Sequence, residues 1–114
     1  MEEIIVKRDG KRDLKFKGEQ LVSSSDRWEG GKENTRWSVI TIYQTESGKF
    51  IIAWEYVTLW QGESCGYRAD ICETPEDVIN ELVPNGDYYD LAKEIIGELA
   101  AKDERFKVFQ YEEV

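Results

Sequence analysis

Residues 36–60 read RWSVITIYQTESGKFIIAWEYVTLW. Val, Ile, Thr, Tyr, Phe and Trp, which suit a pleated and half-buried surface, dominate both sides of Glu46-Ser47-Gly48. The pattern predicts a β-hairpin: a strand from Arg36 to Thr45, a short loop whose Gly48 suits a left-handed position, and a strand from Lys49 to Trp60. Side chains alternate across a strand, so Trp37, Val39, Thr41 and Tyr43 share one face while Ile40 and Ile42 take the other. In the second strand Phe50, Ile52, Trp54, Tyr56 and Trp60 share a face, opposed by Ile51, Ala53, Val57 and Leu59. Both faces are apolar, which a sheet with one side in water does not need. Each face therefore calls for cover.

Working outward, Ile4 to Lys7 and Leu14 to Lys17 flank Arg8-Asp9-Gly10-Lys11, and Asp-Gly between strand-like runs predicts a two-residue hairpin turn. Residues 22–34 turn to Ser, Asp, Gly and charge, and read as a loop with a short strand at its start and Trp28 as a lid over the core. From Cys65 to Glu73, Tyr67, Ala69 and Ile71 alternate with Arg68 and Asp70, predicting a further strand. The period then changes. Thr74-Pro75-Glu76-Asp77 carries an N-cap, a proline suited to the first helical position and first-turn carboxylates, and Pro84 ends this helix near Val83. Asp87 is placed to cap a second helix reaching Lys102, with Tyr88, Leu91, Ala92, Ile95, Ile96 and Leu99 as its apolar stripe. Phe106 to Tyr111 alternates again and predicts a terminal strand at a sheet edge. These readings sum to one α+β domain over residues 1–114, an antiparallel sheet of about five strands with two C-terminal helices packed on one face.

The composition bounds the function. With 40% apolar and 12% aromatic residues the chain has material for one core, unlike the low-hydrophobicity chains that stay disordered. Acidic residues precede only three consecutive apolar ones at the N-terminus, and no apolar run approaches about 18 residues, so neither a signal peptide nor a membrane span is expected and the chain is placed in the cytoplasm. A formal charge of −9 argues against sequence-independent nucleic-acid binding, which draws on Lys and Arg at phosphates. The charge is uneven: residues 1–18 carry six basic and four acidic side chains, whereas residues 73–104 carry ten acidic ones against Lys93 and Lys102. The bland explanation is a lysine-protected edge hairpin and the wet faces of acidic helices. Cys65 and Cys72 have neither redox nor zinc spacing and read as ordinary thiols.

Histidine is absent, which removes the commonest general base and metal ligand; no catalytic motif, metal site or cofactor signature is found, and the expectation leans away from an enzyme. Two features remain as candidates. Glu55 is the ionisable residue in the richest apolar strand, read first as an ion-pair partner of Arg36 or Arg68 and second as a ligand hook or catalytic acid. The aromatic side chains Trp54, Tyr56 and Trp60, with Trp37, read first as core and second as the lining of a binding face, with Glu55 or Arg68 orienting a ligand. Since helices cover one sheet face, the other is expected to be left to the Trp28 loop, a second copy of the chain or a ligand, with a second copy leading. The leading expectation is thus a non-catalytic protein-interaction module, homodimeric through an aromatic sheet face. The alternatives are a small-molecule binding domain with an aromatic pocket on the sheet and, behind it, a carboxylate-based enzyme.

The motifs Leu14-Lys15-Phe16-Lys17-Gly18, Arg36-Trp37, Ile42-Tyr43-Gln44-Thr45, Gly48-Lys49-Phe50, Glu73-Thr74-Pro75-Glu76-Asp77 and Val83-Pro84 stand in an order that resembles the EXLDI protein family, small prokaryotic proteins of unknown function. The resemblance spans most of the chain and implies a fold without an activity. The family's closing motif is replaced here by Tyr111-Glu112-Glu113-Val114, and a ribbon-helix-helix-like arm common in that family is not found in residues 1–114. A DNA-linked role therefore does not follow from the resemblance.

Overall fold

The computed structural model describes residues 1–27 and 35–114; Trp28, read above as a lid, lies outside the described residues. Strands β1 (Glu2–Val6), β2 (Leu14–Ser25), β3 (Arg36–Thr45), β4 (Phe50–Thr58) and β5 (Gly66–Cys72) form an antiparallel sheet in sequential order. Helices α1 (Pro75–Leu82) and α2 (Asp90–Lys102) and a 3-10 segment (Glu104–Phe109) follow. The expected α+β architecture is present, with both helices on one face. Their buried residues Val78, Ile79, Leu82, Leu91, Ile95, Ile96 and Leu99 close over Ile40, Ile42, Phe50, Ile52 and Cys72.

The other face is covered by the sheet itself. Val6 of β1 and Ala69 of β5 sit on opposite edge strands, yet both are buried with Ile51 in one cluster that also takes in Leu14, Phe16, Tyr43 and Ala53. A flat sheet would hold its edge strands several strand spacings apart; their contact shows that the sheet curls until its N-terminal hairpin lies over β4 and β5. Asp9 fastens the curl, its backbone N–H donating to the Tyr67 carbonyl at 2.9 Å and its carboxylate accepting from the Tyr67 N–H at 2.8 Å. Of the covers expected for this second face, the chain itself supplies most, through its own N-terminal hairpin, so a second copy is not required there.

Several local readings are also corrected. The last β1–β2 pair is Val6 with Leu14, so residues 7–13 form a longer connection than a two-residue hairpin: the chain does turn at Asp9-Gly10, with Gly10 at φ 72°, but beyond the ladder and with Asp9 engaged on β5. Strand β2 continues to Ser25 through a bulge between Gln20 and Val22, which lets the consecutive residues Leu21 and Val22 both enter the core under the helices. Lys102 donates to the carbonyl of Leu21 at that bulge. Helix α2 begins at Asp90, with Tyr89 at the N-cap and no side-chain cap; Asp87 does not cap it and Tyr88 lies outside it. Phe106 to Phe109 is not a strand. The Asp103 carboxylate accepts from the Arg105 N–H at 3.0 Å, which winds the backbone into a 3-10 turn and drops Phe106 onto Phe50 in an edge-to-face pair with centroids 5.4 Å apart. The α1 start is as expected, with the Thr74 side chain accepting from the Asp77 N–H and Pro75 opening the helix.

Candidate functional site

The six candidate residues divide between two faces. Register pairs Trp37 with Val57, Val39 with Glu55 and Ser38 with Tyr56, and alternation then places Trp37 and Glu55 on the concave side and Trp54 and Tyr56 on the helix side. Trp37 therefore does not join Trp54 in one pocket. It is nearly buried, with the Arg27 guanidinium 4.3 Å from its ring centroid.

On the helix side the helices run out along β4. Phe50 and Ile52 are 0% exposed, whereas Tyr56 is 41% and Trp60 55% exposed. Trp54 marks the boundary: its ring packs against the core, and its indole Nε1 is buried without a hydrogen-bond partner. Arg68 is its ladder neighbour on β5, with the guanidinium 5.7 Å from the ring centroid. The same guanidinium donates to Asp70 at 3.1 Å and to Glu81 of α1 at 2.9 Å. A cavity of about 450 Å³ opens beside them, lined by Trp54, Arg68, Glu81, Leu82, Pro84 and Tyr89. Partial burial, reinforced by a hydrogen bond shared with Asp70, raises the Glu81 carboxyl above the ordinary range, opposed by Arg68.

Past the end of β4, Trp60 is fixed through its indole N–H, which donates to the Thr35 hydroxyl. The Arg36 guanidinium stands 5.4 Å from its ring centroid and pairs with Glu63 at 2.8 Å. That hydrogen-bonded pairing lowers the Glu63 carboxyl and raises the guanidinium. Trp54, Tyr56 and Trp60 thus form an aromatic ledge with an arginine at each end.

On the concave side, Glu55 pairs across the ladder with Val39 and Tyr67. It does not reach the partners expected for it, because Arg36 and Arg68 occupy the opposite face and are held by Glu63, Asp70 and Glu81. A cavity of about 280 Å³ lies in front of it, bounded by Ile5, Val6 and Lys7 of the curled hairpin end and by Val39, Thr41, Tyr43, Ala53 and Tyr67. Burial raises the Tyr43 phenol. Lys7 and Tyr67 were not singled out as site residues in the sequence: Tyr67 stands beside Glu55 as its ladder neighbour on β5, and Lys7 joins them only because the sheet curls.

Both cysteines are free, Cys65 exposed and Cys72 buried. Burial, with the charges of Glu81, Asp77 and Asp70 adding to it, pushes the Cys72 thiol up to about 12, so it behaves as a small apolar core residue. Among the described residues no helix is long and apolar enough to cross a membrane. A scan of protein-family models, a search of curated proteins and a search of solved structures find no match to this chain. The functional reading therefore rests on the geometry alone.

Proposed function

We propose that this protein is a non-catalytic interaction module of the cytoplasm that pairs with a second copy of itself through the ledge formed by Trp54, Tyr56 and Trp60. One observation carries the reading: the helix-side face of β4 passes from complete burial at Phe50 and Ile52 to wide exposure at Tyr56, and Trp60, just past the end of the strand, is exposed beside it. Trp54 and Tyr56 are seated on the ladder and Trp60 is held by its bond to Thr35, so little conformational entropy is lost when a partner covers them. Trp, Tyr and Arg are the residue types that concentrate binding energy at protein interfaces. The ledge also carries both charge signs, with Arg36 beside Glu63 and Arg68 beside Asp70 and Glu81. In a twofold pair, the arginines of one copy stand to meet carboxylates of the other across the axis, which offsets the repulsion between two copies of charge −9.

Sedimentation velocity tests this at concentrations up to roughly 100 µM and moderate salt. The expected result is a dimer for the native chain and a monomer for the Tyr56→Ser/Trp60→Ser variant, with an unchanged far-ultraviolet circular dichroism spectrum. A native chain that stays monomeric, or a dimer indifferent to both substitutions, overturns the reading.

A further inference from the structure

The concave cavity holds an arrangement that the aromatic ledge does not explain. Glu55 is partly buried in the middle of β4, and among the described residues it has neither a hydrogen bond nor an ion pair. A half-buried carboxylate without an ion-pair partner adds less to stability than an aliphatic residue in the same place. The remainder of this wall is the kind of surface that would accept one: Val39, Ala53 and Val6 bound the same space. Across the cavity stands Lys7, whose ammonium lies 5.5 Å from the Tyr67 ring centroid and is not bridged to Glu55. One anion and one cation therefore face a shared space of about 280 Å³ without neutralising each other.

We infer that this cavity binds a small zwitterion of the α-amino-acid class, its ammonium on Glu55, its carboxylate on Lys7 and its hydrocarbon side chain against Val6, Val39 and Ala53. The chemistry selects this class by elimination. A simple anion would meet the Glu55 charge, and a simple cation would meet Lys7. A metal ion would find one carboxylate where several oxygen ligands are needed. A neutral apolar solute would cover both charges without pairing either. The volume lies just under the range of about 300–1,000 Å³ occupied by drug-sized ligands, which suits a solute of amino-acid size. The remaining polar lining residues Thr41, Tyr43 and Tyr67 bring hydroxyls, of which that of Thr41 is shared with Ser23 at 2.9 Å. Its charged groups, Glu55 and Lys7, lie apart from Tyr56 and Trp60, although Trp54 also bounds the cavity; the Tyr56→Ser/Trp60→Ser variant therefore tests dimerisation without touching the zwitterion site.

The test titrates the isotope-labelled native protein with L-valine, L-leucine and L-phenylalanine, following amide chemical shifts, and repeats each titration with the methyl ester and the N-acetyl derivative. At least one free amino acid is expected to saturate shifts at Val39, Thr41, Glu55 and Tyr67. Blocking either end is expected to weaken binding about tenfold or more. Glu55→Gln should weaken binding of the free amino acid by a similar factor while leaving the N-acetyl derivative unaffected; Lys7→Met, at an exposed position, should do the same with respect to the ester. Absence of saturable shifts for all three amino acids up to about 10 mM, or equal affinity of free and blocked forms, overturns the inference.

Discussion

At Gly18 the backbone of β3 leaves no room for a side chain: a Cβ built there would stand 2.3 Å from the Gln44 carbonyl oxygen and 3.1 Å from the Thr45 Cα. Those neighbours are backbone and cannot swing aside as a side-chain tip would. Gly18→Ala is therefore expected to lower the free energy of unfolding by about 2 kcal/mol or more, measured by urea denaturation. An alanine tolerated without loss would mean that the two strands can separate at little cost. The sequence contains no sign of this approach, since a glycine beside a lysine in a strand reads equally well as a turn. The assignment of Glu55 fails for a related reason. Its position in the strand was legible, but two arginines that looked like partners belong to the other face by parity and are claimed there by Glu63, Asp70 and Glu81.

At the scale of elements, the C-terminal segment shows how a local hydrogen bond overrides a side-chain pattern. Alternation from Phe106 to Tyr111 suggests a strand, yet Val108 is exposed and Phe106 is wholly buried, because the Asp103 carboxylate holds both the backbone and the guanidinium of Arg105. That guanidinium bond keeps the Asp103 carboxyl below the usual carboxylate range. A carboxyl whose value is depressed in the folded state adds stability above its unfolded value, and that stability drains away as the pH falls through the folded value. Asp103→Ala is accordingly expected to cost about 1 kcal/mol at neutral pH, with the gap to the native protein closing below about pH 4. Denaturation curves over that range give the comparison; a gap that persists in acid would place the effect in packing instead. Other elements were readable as they stand. The β3–β4 hairpin and the start of α1 depend on neighbours within a few residues, Gly48 in one case and Thr74 with Pro75 in the other.

For the whole molecule, the curl is the decisive feature, and Asp9 is its visible clasp. Asp9→Ala removes the carboxylate that accepts from the Tyr67 N–H, while the cluster of Val6, Ile51 and Ala69 stays in place. The expected outcome is a folded protein whose Tyr67 amide exchanges at least about tenfold faster, with a loss of roughly 1 kcal/mol in stability. Unaltered exchange at Tyr67 would show that apolar contact alone sets the curvature. A looser clasp would also widen the space between Lys7 and Glu55, so the proposed zwitterion site and the sheet curvature are coupled through this one side chain.

What the sequence determined by itself is the set of short-range decisions: that the central hairpin and the segment after it are strands, where α1 starts, that the class is α+β, and that both faces of the central hairpin are too apolar for water. Periodicity and capping act over a handful of residues, so they can be read in order along the chain. Only the tertiary structure decided how the second face is sheltered, which of the aromatic side chains stay exposed, and that Lys7 stands across a cavity from Glu55. Those outcomes follow from sheet curvature, from the length of helix available to cover β4 and from contacts between opposite edge strands. Such quantities depend on packing between residues far apart in the chain, and no local pattern encodes them.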